Sequence, residues 1–408
     1  MTYKIIRGGL DFLTRQKRPF RVNLIKVSTQ NFFTSLTQQY QSILIIGLGA
    51  TPFQLGITSS AGGLAGAAIA VPTGWLADRR GIKTVMLLGM IPLILGTLLF
   101  ALASDWTIAI PAMILVTLAL NIESTACPMV CGSCLKSEER AMGMQFCDTF
   151  SAVPRLVSPI VRAIIISSFG GIGVGGIRPL YYVQVVGFLF VLLIILKMFA
   201  SPKRADRSST TSFVEGMREV FRQGSVVKRW IWYMCFLAVP TFMNSTYIPL
   251  YAAEVKTADQ FVLGGMATAS MIVPLVLSLL VGHWADIIGR KKVIYATTLL
   301  YCSSLVLLML SSNAITLLFS AILYGFFMLG TVVQYAMSAE LVPTHLLGRW
   351  YGILGLFSGL IGIAAPVVGG LIWDSIGPAY VLVFLIMTEL AGILLLTGVP
   401  ETLKIQKL

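Results

Sequence analysis

Asp148, Ser151, Arg155, Ser158 and Arg162 follow one another at steps of three and four inside a long apolar segment, so a helix there carries all five on one face. Two guanidiniums and a carboxylate on one stripe are suited to binding an anionic or strongly polar solute. Each arginine costs roughly 2.5 to 3.5 kcal/mol at the centre of a membrane helix, so it must face water, a partner or a ligand. Asp148 neutralises at most one of them. Glu123, in the preceding apolar segment, is the second acid. With a turn near Ser137 and ~1.5 Å of rise per residue, Glu123 lies roughly 21 Å from the turn, between Asp148 at ~16 Å and Arg155 at ~27 Å. An ion pair between the two segments is therefore geometrically possible. Two readings stand: Glu123, Asp148 and Arg155 form a fixed buried network, or Arg155 and Arg162 attract the solute while Glu123 or Asp148 exchanges a proton.

Composition sets the solvent in which these groups must work. Apolar residues make up 56% of the 408 and charged residues 12%, far from the balance of a water-soluble chain. Apolar segments of about 20 residues, each long enough to cross ~30 Å of hydrocarbon, recur along nearly the whole length. Twelve spans are expected, at about 23–48, 54–77, 83–104, 107–133, 142–168, 179–200, 230–252, 260–285, 291–311, 314–338, 347–373 and 379–399. With the N-terminus inside, every Lys and Arg falls on the cytoplasmic side except Arg155, Arg162, Arg178 and Lys256. The net charge of +13 thus belongs to the inner leaflet, and no soluble basic face offers a nucleic-acid partner. Tyr3 to Arg21 lacks the apolar core of a cleavable signal and is expected at the inner surface.

The chain is duplicated. Gly74, Ala77, Asp78, Gly81 and Lys83 follow span 2, and Gly282, Ala285, Asp286, Gly289 and Lys291 repeat the pattern after span 8. The same offset carries Asp105 onto Asn313, and offsets one residue either side carry Arg140 onto Arg349 and Pro159 onto Pro366. The repeat also rescues span 1, whose Asn23, Lys26, Gln30, Asn31, Thr34, Gln38 and Gln41 lower its hydropathy; its counterpart, span 7, reads as plainly apolar. Three parts are expected: 1–200 as one six-helix bundle with a cytoplasmic N-terminal segment, 201–228 as a cytoplasmic linker, and 229–408 as a second bundle. In the linker, Ser212 and Glu215 form a capping box before an amphipathic helix that Gly224 would stop.

At this point the chain resembles the major facilitator superfamily of secondary transporters. Gly74, Asp78, Arg79, Gly81 and Lys83 match the family's loop motif with Ile82 in place of a basic residue, and the second copy keeps Asp286, Gly289 and Arg290 but has Ile287 for arginine. The resemblance implies that these loops latch the two halves in one gating state. Glu139, Arg140, Glu340, Pro343 and Arg349 are further matches. Ser158, Pro159 and Arg162 replace most glycines of the drug-antiporter motif in span 5. Val399, Pro400, Glu401 and Thr402 look like the terminal sugar-porter motif, whose counterpart after span 6 is missing.

In that family spans 1, 4, 7 and 10 line the cavity. The resemblance therefore implies substrate contacts from Gln30, Thr34 and Gln38, from Asn244 and Tyr247, and from Gln334, beside Arg155 and Arg162. Glu123 and Asp148 are the proton-coupling candidates, with Glu389 in span 12 ranked below them as a residue that pairs with a neighbouring helix. The six cysteines suggest no disulfide framework; Cys127, Cys131 and Cys134 read as packing residues rather than cluster ligands, and no metal or cofactor is expected.

The expectation is an all-α membrane protein of 12 transmembrane helices in two six-helix bundles, both termini cytoplasmic. It is a monomeric transporter of the plasma membrane, not an enzyme, that moves a small polar or anionic organic solute with protons by alternating access. Multidrug efflux is the alternative within the class; a non-transporting sensor or a lipid scramblase is the alternative outside it.

Overall fold

The structure, a computed structural model, describes residues 15–80, 82–135, 140–199, 221, 224–342 and 347–402. Its regular elements are helices: α1 (Arg18–Gln38), α2 (Gln41–Gly47), α3 (Pro52–Arg80), α4 (Ile82–Leu102), α5 (Trp106–Cys134), α6 (Arg140–Ser168), α7 (Val174–Met198), α8 (Ser225–Glu254), α9 (Gln260–Ile288), α10 (Arg290–Leu310), α11 (Ala314–Glu340), α12 (Leu347–Ser375) and α13 (Pro378–Thr397). Each expected span meets a helix with ends a few residues away, except that span 1 is broken at Gln39 and Tyr40 into α1 and α2. The expected linker helix lies outside the described residues apart from Phe221. Gly224 is seen at φ +113 as the residue before α8, so it starts the second half's first helix.

Among the described residues, nine helices are long and apolar enough to cross a membrane: α4 to α7 and α9 to α13. The polar α1 is absent from that set, as its amides predict. So are α3, whose side chains from residue 67 on lie outside the described residues, and, against the expectation for span 7, α8, because Trp230, Trp232, Tyr233, Asn244 and Tyr247 dilute its aliphatic content. Large apolar side chains point outward on many helices, Val186, Leu310 and Leu394 among them. In water that would be costly, and in lipid it is the required surface.

Two compact units emerge: Met1–Gln38 with Ala68–Gly170 and Val174–Ser208, and Gln39–Ala67 with Gly171–Gly173 and Ser209–Leu408. In the first, α1 packs on α5, α6 and α7, and α4 packs on α5 and α7. Its core joins Phe20 and Leu24 to Met86, Met90 and Leu93 and to Phe188 and Val191. In the second, α8 packs on α12 and α13, and α10 packs on α11 and α13. The pairings of spans 3 with 4, 1 with 5, 1 with 6 and 3 with 6 therefore recur one repeat later.

The repeat extends to individual atoms. Asp105 caps α5 by accepting the Thr107 N–H at 2.8 Å, and Asn313 caps α11 by accepting the Thr316 N–H at 2.9 Å. Lys83 Nζ donates to the Leu196 carbonyl at the end of α7, and Lys291 Nζ to the Thr397 and Val399 carbonyls at the end of α13. Two of the four cations on the wrong side of the charge rule are C-terminal caps. Arg178 donates to the Ala103 carbonyl past α4, and Lys256 to the Met309 and Ser311 carbonyls at the end of α10.

Candidate functional site

In the first unit the polar stripe of α1 is turned inward. Asn23, Lys26 and Gln30 are buried and Thr34 is half-buried, at steps of three and four on one face, while Gln38 is exposed. Lys26 Nζ forms a buried ion pair with Glu123 Oε2 of α5. The sequence had placed Glu123 within range of Arg155. The structure corrects that pairing, because α1 packs on α5 and delivers an ammonium there. Lys26 was visible only as a residue that lowered the hydropathy of span 1. Its place on the stripe with Asn23 and Gln30 was the signal that could have found it.

Glu123 Oε1 has no hydrogen-bond partner among the described residues, and the same holds for both side-chain polar atoms of Asn23, for Gln30 Oε1 and for Thr34 Oγ1. A buried polar group left without a partner costs about 1 to 3 kcal/mol, so several within one unit mark a place where water or a ligand is expected. Gly89 of α4 makes room for the acid: a Cβ there would lie 2.7 Å from Glu123 Oε1.

Arg162 is buried, and its Nη1 donates to the Ser35 carbonyl of α1 at 3.0 Å. Arg155 is half-buried. The side chain of Asp148 lies outside the described residues.

In the second unit the predicted cavity residues are engaged with neighbouring helices. Asn244 Oδ1 accepts the Tyr301 hydroxyl at 2.8 Å, and its Nδ2 is left without a partner. Gln334 Nε2 donates to the Tyr233 hydroxyl at 2.8 Å, and its Oε1 is left without one. Tyr247 is fully buried beside Trp373, and its hydroxyl donates to the Pro366 carbonyl of α12 at 2.5 Å. Its one proton is thus committed to the backbone.

Of the gating loops, Gly81 and the side chains of Asp78 and Arg79 lie outside the described residues, as does detail at Gly74. The second loop is described. Gly289 takes φ +116, a conformation open to glycine, and a Cβ would meet Glu401 Oε2 at 2.9 Å. Glu401 accepts the backbone N–H groups of Arg290 and Lys291 at 3.1 and 3.0 Å and so caps α10. Arg290 pairs with Glu340 at 2.7 Å and with Asp286 at 3.6 Å. Cys131, Cys134 and Cys147 are buried thiols.

A pair of like-packed helical units, with a glycine-acid-base loop and polar residues buried at membrane depth, defines a transporter-type architecture. The chain belongs to the Major Facilitator Superfamily, whose sequence profile matches residues 27–265 and 256–407. It is similar in fold to the crystal structure of the nucleoside transporter NupG, with TM-score 0.74 and 13% identity over 96% of this chain and 100% of that one. It is similar as well to a D-xylose-proton symporter, with TM-score 0.70 and 12% identity over 94% and 98% of the two chains. A bacterial homolog of the human lysosomal transporter Spinster, in an inward-facing and unoccupied conformation, gives TM-score 0.68 and 13% identity over 93% and 95%. Curated relatives are uncharacterized MFS-type transporters of two Mycobacterium tuberculosis strains, 30% identical over 132 residues. That match covers 31% of this chain and 18% of their length.

Proposed function

We propose that the chain is a secondary active transporter that moves a small polar or anionic organic solute across the membrane by alternating access, coupled to protons. The observation that carries this reading is the buried Lys26–Glu123 pair with unpartnered Glu123 Oε1, Asn23 and Gln30 in the same unit. A proton added to Glu123 removes the acid's charge while Lys26 keeps its own. The site then gains one net positive charge and favours an anion, so proton and anion enter together with no net charge buried. Arg155 and Arg162 of α6 add to the same field. Within the second unit Asn244 and Gln334 are the proposed amide contacts, and Asp148 is the second proton candidate of the first. The loop residues Gly74, Asp78, Arg79, Gly81, Lys83, Asp286, Gly289 and Arg290 act in gating. The protein works as a multi-pass monomer in the plasma membrane.

Neighbours whose names state a nucleoside transporter and a xylose-proton symporter support small polar solutes and proton coupling as the reading for this fold. The test is thermal stabilisation of the purified protein by a library of organic anions, cations and neutral solutes. The parent is compared with Arg155→Gln, followed by uptake into proteoliposomes under an imposed pH gradient. Anions that stabilise the parent alone, with pH-driven uptake lost in Glu123→Gln, are the expected result. Lipophilic cations that stabilise both proteins equally would transfer the reading to multidrug efflux.

A further inference from the structure

Glu389 lies midway along α13 and is 5% exposed. Its Oε1 has no hydrogen-bond partner, and no cation lies within ion-pair distance of it among the described residues. This differs from the sequence expectation, in which Glu389 simply pairs with a neighbouring helix. It also differs from Glu123, which has its lysine.

The groups that face Glu389 come from the helices packed on α13. Tyr233 of α8 and Tyr301 and Cys302 of α10 lie within electrostatic range of Glu389, and Tyr295 of α10 within the same range of Tyr233. α12 carries no titratable group between Tyr351 and Asp374, and α13 itself carries only Tyr380, which is exposed. The cations of α8 and α10 sit in their first turns and three of them are committed elsewhere, while the side chain of Arg349, in the first turn of α12, lies outside the described residues. Arg229 donates to the Gly398 carbonyl, Arg290 pairs with Glu340, and Lys291 donates to Thr397 and Val399. Lys228 and Lys292 lie at those same helix starts, more than one turn from Tyr233 and Tyr301 respectively in either sequence.

The hydroxyl protons are limited too. Tyr301 gives its proton to Asn244 Oδ1. Tyr233 Oη accepts from Gln334 Nε2, which leaves its own proton as the available donor toward the acid. One hydroxyl and no cation do not compensate a buried ionised carboxylate. A neutral carboxylic acid needs much less.

We propose that Glu389 is a proton-binding site of the second unit, a carboxylic acid buried on α13 against α8 and α10, with Tyr233, which accepts from the Gln334 amide, as the hydroxyl available to it. Loss of the proton sets a negative charge against Tyr233 and turns its hydroxyl toward the acid, which reorganises the Tyr233–Gln334 bond. Gln334 Oε1, buried without a partner, is the far end of that chain. The ligand is the proton; a sodium ion would demand several oxygen ligands, whereas Asn244 Oδ1 and Tyr233 Oη already accept hydrogen bonds.

The inference stands apart from the site at Lys26 and Glu123, because it concerns another unit and its readout needs no solute. The thermal midpoint of the purified full chain is measured against pH for the parent, Glu389→Gln and Tyr233→Phe, in sodium and in potassium buffers. The native parent holds a proton that the unfolded chain releases above the ordinary glutamate value of about 4.3, so its midpoint falls as pH rises beyond that value. Glu389→Gln, which mimics the neutral acid, is expected to match the parent at low pH and to lose that slope, and Tyr233→Phe to carry it on to higher pH. An infrared carboxylic-acid band present in the parent and missing in Glu389→Gln is the accompanying sign. Parallel pH curves for parent and Glu389→Gln, failure of Glu389→Gln to fold at any pH, or stabilisation by sodium over potassium that the variant loses would each overturn the proposal.

Discussion

A buried lysine and glutamate on α1 and α5 hold each other in place, and the value of that pair is seen by breaking it. Removal of one partner leaves the other charged at membrane depth, at a cost of about 3 to 5 kcal/mol. Lys26→Met and Glu123→Gln are each expected to lower the thermal midpoint, and the double variant to recover most of the loss; strictly additive losses would deny the pair. Gly89→Ala tests the space around the acid, since its Cβ would lie 2.7 Å from Glu123 Oε1. Overpacking of this kind costs about 1 to 3 kcal/mol, and pH-driven uptake in proteoliposomes is expected to fall before the fold is lost. Uptake at the parent's rate would show that the carboxyl has room to move. The acid at 123 was legible as a membrane-depth carboxylate. Its partner was not, since the two residues stand 97 apart and spacing along one hairpin brings α6, not α1, to mind. Tyr247 shows the same limit: the family resemblance marked it as a cavity residue, whereas the commitment of its hydroxyl to Pro366 depends on which helix lies alongside.

Helix by helix, the sequence was more informative, because the hydrocarbon thickness sets the length and a repeat checks each end twice. Asp105 and Asn313 were matched by offset alone, and both proved to be N-caps. Asn313→Ala is expected to cost about 1 kcal/mol, measured as a lower midpoint. Asp105 adds a pH signature. The Thr107 N–H that it accepts holds its carboxyl below the usual 3.8. Its contribution is therefore complete above that value and is lost as pH falls through the lower folded value. Asp105→Asn is expected to flatten the acid limb of the stability curve, and an unchanged limb would remove Asp105 from that account. What the pattern did not show was the break at Gln39 and Tyr40. Hydropathy carries no sign of it, because it coincides with tertiary bonds, from Gln39 Nε2 to the Leu263 carbonyl and from the Tyr40 hydroxyl to the Gln260 carbonyl.

Those bonds belong to a larger feature of the second unit, which gathers residues 39–67 of the first repeat among helices of the second. The Phe53 N–H donates to Asp374 at 3.0 Å, and glycines let backbones meet: a Cβ on Gly56 would come 2.3 Å from the Pro366 carbonyl, and one on Gly370 would come 2.5 Å from the Pro52 carbonyl. The alternating access proposed above would have to open a seam of this kind, since it joins spans 1 and 2 to spans 7, 8 and 11. Glycine suits a seam that closes tightly and also parts, because no side chain interlocks across it. Gly370→Val places methyl groups where the Pro52 backbone lies, so the packed arrangement is disfavoured and the parted one gains population. A cysteine in place of Gln39, in a chain otherwise freed of accessible thiols, reports the change through its rate of labelling by a membrane-impermeant maleimide. Labelling is expected to be slow in the parent background and severalfold faster with Gly370→Val, while solute-driven uptake slows because the seam no longer closes. Equal labelling rates in the two backgrounds would mean that residues 39–67 are fixed to the second unit throughout the cycle. The moving boundary would then have to lie at the break between α1 and α2.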